Sequence, residues 1–297
     1  MKKQILMTIV IAAIVSLLAI HFSGSKTAVK EETPFDRVVK TGTLRCGFAT
    51  WAPGFYIDSK TGKKAGFSYE IAEALGKKLG LKIEWTEESG WGVAEQGLHA
   101  KRFDAMCAHV CVDARRTKAA YYSIPFLHEP IYVMTRADDH RFDNDLNKVN
   151  DPSIKTVILR GSIFEFTAND YFPKTKTFDA SELNADSDIV MSVISKKADI
   201  AFNTGLGVQN FDKANPGKIK LTGDPVRFCS GAFMLPLGDD RLKNLIDGGM
   251  NELIADGQVE RIIGKFLGEN NPYWYPPSTL NPPKNGYPKR AVLKIGE

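Results

Sequence analysis

The stretch TGTLRCGFATWAPGFYIDSKTGKKAGFSYEIAEALGKKLG, residues 41–80, contains a short apolar strand, an aromatic loop, a Gly-punctuated turn and an amphipathic helix in that order. Leu44 to Phe48 reads as the strand, and Thr50 to Tyr56 as the loop. In the helix Phe67, Ile71, Leu75 and Leu79 recur every four residues, which gives one buried stripe. Glu70 and Glu73 lie in its first half and Lys77 and Lys78 near its end, in accord with the helix dipole; Gly80 can close it. A strand followed by a helix of this kind is the opening unit of a layered α/β domain.

The alternation continues along the chain, so the expected fold is α/β, two-lobed, each lobe a mostly parallel sheet flanked by helices. Strands are expected at Leu81–Trp85, Phe103–Val110, Thr156–Leu159 and Ile200–Phe202, with a short helix over Val93–Ala100. Ala114 to Tyr122 is read as helical up to the Ser-Ile-Pro break at Ser123–Pro125. Gly161-Ser162 leads into a helix from Ile163 to Tyr171, and Ser187 is expected to cap the next one. Ile131–Thr135 and Gly231–Leu235 are the two crossings between lobes. The first lobe is then 34–134 plus 235–295 and the second 135–234. Residues 269–297, rich in Pro and Asn, form an extended tail packed by Tyr273, Trp274 and Tyr275.

At 297 residues the chain fits two domains. The formal charge of +4 falls to +2 without residues 1–25, and no Lys/Arg run exceeds two, so nucleic acid is not an expected partner. Lys2 and Lys3 precede 16 mostly apolar residues, Ile5 to Ile20, then Ser23, Gly24 and Ser25, the order of a secretory signal. An uncleaved membrane anchor is the alternative, because the run is long for a signal core and short for a span. Either way the body is exported, which permits disulfides among Cys46, Cys107, Cys111 and Cys229. Cys107 and Cys111 cannot pair within one extended strand, where four residues span about 13 Å. Cys46 and Cys107 sit on neighbouring strands, as a disulfide or as buried thiols. A zinc site of Cys107, His109 and Cys111 lacks a second ligand pair, and no metal or cofactor is expected. His99, His109, His128 and His140 are scattered and read as structural or solvated.

Residues 41–80, together with MNELIADGQVERIIGKFLG at 250–268, resemble the two ends of the extracytoplasmic solute-binding proteins of polar amino-acid ABC transporters, which have the type II periplasmic-binding-protein fold. CAHVCVDARRTKAAYYSIPF at 107–126 resembles the family segment in which an arginine stands seven residues before a Ser-x-Pro. That places Arg116 as the residue implied to grip a ligand carboxylate, a task suited to the paired donors of a guanidinium. Gly161, Ser162 and Ile163, at a helix start, supply the opposing backbone donors. The resemblance implies aromatic walls from Trp51 and Trp91, with Phe55 a further candidate.

Two positions depart from the family pattern. Where an Asp commonly holds the ligand amine, Asn203 and Thr204 stand, and the assisting turn threonine is replaced by Cys111 or Asp113. A buried ammonium without an opposing carboxylate is costly, so the carboxylate reading stands ahead of the α-amino-acid one; Asp113 or Glu70 could substitute. The implied function is a periplasmic, monomeric binding protein that delivers a small carboxylate-bearing metabolite, with amino acids among the candidates, to an ABC permease by hinge closure. One alternative is an enzyme resembling the periplasmic cyclohexadienyl dehydratases, with Glu95 or Glu165 as general acid. A ligand-sensing module is another.

Overall fold

The computed structural model describes residues 31–181, 185–268, 271–277 and 291. The N-terminal segment 1–25 and most of the C-terminal tail lie outside the described residues. Helix α1 (Pro34–Thr41) starts with a capping box in which the Thr33 and Asp36 side chains bond each other's backbone amides. Strand β1 (Thr43–Phe48) follows, then a small hairpin of β2 (Tyr56–Ile57) and β3 (Lys64–Ala65). Helix α2 (Phe67–Leu79) buries Phe67, Ile71 and Leu75 as the period requires, and Gly80 ends it in the left-handed conformation with its N–H on the Gly76 carbonyl.

The chain continues through β4 (Lys82–Glu88), α3 (Ala94–His99), β5 (Ala105–Cys111), β6 (Ala120–Tyr122) and β7 (Leu127–Arg136). Then come β8 (Lys155–Ile158), α4 (Ile163–Tyr171), β9 (Lys176–Asp179), α5 (Ala185–Ile194), β10 (Ile200–Thr204) and α6 (Gly205–Ala214). Strand β11 (Ile219–Pro236) returns the chain to α7 (Asp240–Ala255) and α8 (Gln258–Leu267).

The main sheet runs β4-β1-β5-β11-β7-β10-β8-β9, with β6 paired to β11. At one end β1 pairs β4 and β5 in parallel, and at the other β8 pairs β9 and β10 in parallel. Between them β7 and β11 are antiparallel to each other and to their outer neighbours, apart from a register shift between Thr222 and Arg227. The fold is thus two lobes of largely parallel sheet flanked by helices, joined through two long strands. One lobe packs α2, α7 and α8 around Leu75, Ile246 and Ile263 on one face of its sheet, with Phe103 and Met106 on the other. The second encloses Phe172 and Phe202 on one face and Ile189 and Val193 on the other. In the first lobe, the fully buried carboxylate of Asp104 ties Arg37 of α1 and Arg45 of β1 to the start of β5.

Two local expectations are overturned. Ala114–Tyr122 is not a helix but a 3₁₀ turn over Arg116–Lys118 followed by β6. The Asp113 carboxylate accepts from the Arg115 amide and its carbonyl from those of Arg116 and Thr117, which fixes a turn, and Tyr121-Tyr122 then adds to the edge of β11. Ser187 is the third residue of α5, which begins at Ala185, and so stands past the cap position. Helix α6 opens at Gly205, with Thr204 as its N-cap. Cys46 and Cys107 form a disulfide, and so do Cys111 and Cys229. In the described part of the tail, Trp274 and Tyr275 are buried, and Tyr275 bridges His128 at the start of β7.

Candidate functional site

A cleft opens where the two lobes meet over β5, β7 and β10, lined by Trp51, Trp91, Cys111, Arg116, Ser162, Ile163, Asn203 and Thr204. Of the nine residues assigned from sequence, eight line it; Gly161 is adjacent. Its volume is about 70 Å³, where one water needs about 10–15 Å³. The wall is mostly apolar, with Val110, Leu159 and Phe164 beside the aromatic rings, the usual make-up of a small-molecule pocket.

Arg116 is buried and enters from the turn after β5. Its Nε bonds the Glu95 carboxylate, and Nη2 donates to the Trp91 carbonyl at 2.6 Å. Those contacts use one edge of the guanidinium and fix its plane. Nη1 has no protein acceptor among the described residues. Arg115 does not line the cleft and joins Asp113, Asp170 and Arg227 in an ion network that spans both lobes. The hydrogen bond from Arg115 is the main reason that the Asp113 carboxyl is held down at about 2.

Opposite stands the start of α4. Ser162 is a real N-cap: its hydroxyl accepts from the Phe164 amide at 3.2 Å and donates to the Leu159 carbonyl at 2.6 Å. The Gly161 amide, expected to be free for an anion, is taken by the Glu165 carboxylate at 2.6 Å. The donor left at the cleft is the Ile163 amide, which has no acceptor among the described residues. Asn203 accepts from the Thr204 amide through Oδ1, and the Thr204 hydroxyl caps Gly207, so both side chains line the cleft while serving α6. Cys111 lines it as a half-cystine and has no thiol to offer. Glu95 and Glu165, the general acids considered for an enzyme, are bound to Arg116 and Gly161 respectively, and neither lines the cleft.

Sequence reasoning missed His109 and Glu129, both of which face this cleft. His109 lies flat on Trp51, ring centroids 5.8 Å apart, and fits there because residue 231 is glycine: a Cβ would stand 1.8 Å from the imidazole Cδ2. Its Nε2 is 3.3 Å from Glu129 Oε2. Burial pushes His109 down to about 3 and Glu129 up to about 8, so at neutral pH these are two uncharged groups and not an ion pair. With Cys229 their donor atoms lie within 4.8 Å of one another. The Cys229 sulfur is spent in a disulfide, however, and two remaining donors fall short of the three or four of a zinc site. The zinc site weighed for Cys107, His109 and Cys111 fails likewise, since both cysteines are bridged.

The chain is 27% identical to the L-cystine-binding protein TcyA of Bacillus subtilis over 91% of its own length and 99% of that protein. It is 22% identical to the cyclohexadienyl dehydratase of Pseudomonas aeruginosa over 85% of its length and 92% of the enzyme. The crystal structure of the ancestral amino-acid-binding protein AncCDT-1, a precursor of cyclohexadienyl dehydratase, superposes with a TM-score of 0.68 at 23% identity, covering 78% of this chain and 97% of that one. Residues 44–269 match the family model, and the chain belongs to the bacterial extracellular solute-binding proteins, family 3.

Proposed function

We propose that the protein captures a small amino-acid-like solute through its carboxylate, in the periplasm, and presents it to the permease of an ABC importer. The observation that carries this reading is one cleft lined by a pre-oriented guanidinium, Arg116, by a helix-start amide, Ile163, that has no acceptor among the described residues, and by Trp51 and Trp91. A carboxylate bridging the two lobes would stabilise the closed state by its differential affinity for it. The lobes are taken as 34–134 with 235–295, and 135–234. Membership of the family and the cystine- and amino-acid-binding relatives support a transport role without turnover.

A thermal-shift screen of amino acids, oxo acids and dicarboxylates identifies ligands by mass action. Arg116→Ala is then expected to cost about 2–5 kcal/mol of binding free energy, the range for removing one member of a desolvated charged pair. Arg116→Lys keeps the charge and loses the fork, and should recover only part of that loss. Unchanged affinity of Arg116→Ala in calorimetry rules out the carboxylate site.

A further inference from the structure

Glu129 is fully buried on β7, opposite Cys229 in the strand register, and neither carboxyl oxygen has a hydrogen-bond partner among the described residues. His109 Nε2 comes to 3.3 Å without hydrogen-bond geometry. A buried carboxyl left unsatisfied is expensive and calls for a reason. The neighbouring carboxylates have theirs: Asp113 is held by Arg115 and Arg227, Glu95 by Arg116, and Glu165 by the Gly161 amide. Asn203 and Thr204 carry no charge and are engaged with α6.

We propose that Glu129 is the counter-charge for an ammonium group of the ligand, so that the solute is a zwitterion of the amino-acid type and not an oxo acid or a dicarboxylate. This rests on the carboxylate reading above. An ammonium brings three donors and no acceptor, which is what two bare carboxyl oxygens require. The position also fits: Glu129 lines the cleft that Arg116 and Ile163 line, but on the crossover strand between lobes, so the two ends of a zwitterion meet different elements.

A proton balance follows. Burial alone raises the empty site's carboxyl to about 8, so at pH 7 it is protonated. The ammonium favours the carboxylate, and the displaced proton leaves to solvent. Affinity therefore climbs as pH rises toward 8, approaching tenfold per unit. The groups facing Glu129 do not supply this change. From β5 comes His109, held neutral by burial, and from β11 the Cys229 disulfide. The turn after β5 brings Arg116, permanently charged; β10 brings Asn203 and Thr204. Next to it on β7, His128 has its Nδ1 3.0 Å from Ser230 Oγ and its pKa lowered by burial.

The test is calorimetry of the full chain with the twenty common amino acids and L-cystine, and with the 2-oxo acids of the same side chains. It is run at pH 6.5 in buffers of different ionisation enthalpy. Expected is binding of at least one amino acid, at least a hundredfold tighter than its oxo acid, with release of close to one proton. Glu129→Gln should weaken that amino acid at least thirtyfold and abolish proton release, while leaving the oxo acid and the melting temperature at or above wild type. An oxo acid bound as tightly as its amino acid, absent proton release in the wild type, or full amino-acid affinity in Glu129→Gln overturns the Glu129 assignment while leaving Arg116 standing. Unchanged affinity in Arg116→Ala overturns the carboxylate reading and this one with it.

Discussion

His109 and Glu129 meet across β5 and β7, and burial moves their proton affinities in opposite directions, so together they shape how stability depends on pH. Glu129 titrates near 8 when folded against 4.5 ordinarily. The folded state therefore holds the extra proton, and this contribution is complete below 4.5 and lost as pH rises to 8. His109 titrates near 3 against 6.5; its contribution is complete above 6.5 and lost as pH falls to 3. The two slopes cancel between 4.5 and 6.5, leaving a plateau. The ligand-free melting temperature should fall from pH 6.5 to 8, and Glu129→Gln should remove that fall; an unchanged alkaline slope in the variant sinks the account. Below the plateau Asp113, held near 2 against 3.8, adds to the acid loss. At this scale Arg116 was legible because the Ser-x-Pro seven residues later fixes its place, and Ser162 because a helix pattern follows it. His109 and Glu129 had no such marker: only the register of β5, β7 and β11 brings them together, and register is set by contacts far apart in sequence.

Elements with local causes were readable and elements with distant causes were not. The four-residue stripe of α2 and the Ser cap of α4 are local, and both helices stand where the pattern put them. Strand β6 owes its existence to an edge of β11 more than a hundred residues away, which overrides the helical look of Ala114–Tyr122. The pairing of Cys111 with Cys229 depends on the same long strand, because β11 lies antiparallel to β5. The two disulfides close spans of 61 and 118 residues between β1 and β5 and between β5 and β11. Removing either by a double Cys→Ala change should cost about 2–4 kcal/mol in denaturant unfolding. The two should differ in ligand affinity. The Cys46–Cys107 pair lies in the first lobe's core and its loss should leave affinity within about twofold, whereas Cys111 lines the cleft. Equal affinity losses in both variants would show that the cleft wall is not what Cys111 contributes.

At the junction of the lobes two backbones lie in contact. Gly92, in the loop before α3, lies against the turn before α4: a Cβ at Gly92 would stand 3.0 Å from the Arg160 carbonyl oxygen, and one at Gly161 would stand 2.7 Å from the Gly92 Cα. Both neighbours are main chain and cannot swing aside, so a side chain there must be met by moving one lobe from the other. Gly161 also has φ +72, which confounds any substitution with backbone strain; Gly92 does not. Trp91, the residue before Gly92, packs against clusters of both lobes and lines the cleft, so the same movement would loosen the ligand's wall. The ion network of Arg115, Asp113, Asp170 and Arg227 favours the shut form but is partly exposed, so its share is screened by salt. Each lobe keeps its own core when they part. Gly92→Val should therefore leave the melting temperature of the ligand-free protein within about 2 °C while lowering ligand affinity about ten- to a hundredfold, the factor by which the closed population drops. Small-angle scattering at saturating ligand should give a larger radius of gyration for this variant than for the wild type. Equal radii together with equal affinity would mean that the lobes tolerate the extra side chain and that this contact does not limit closure.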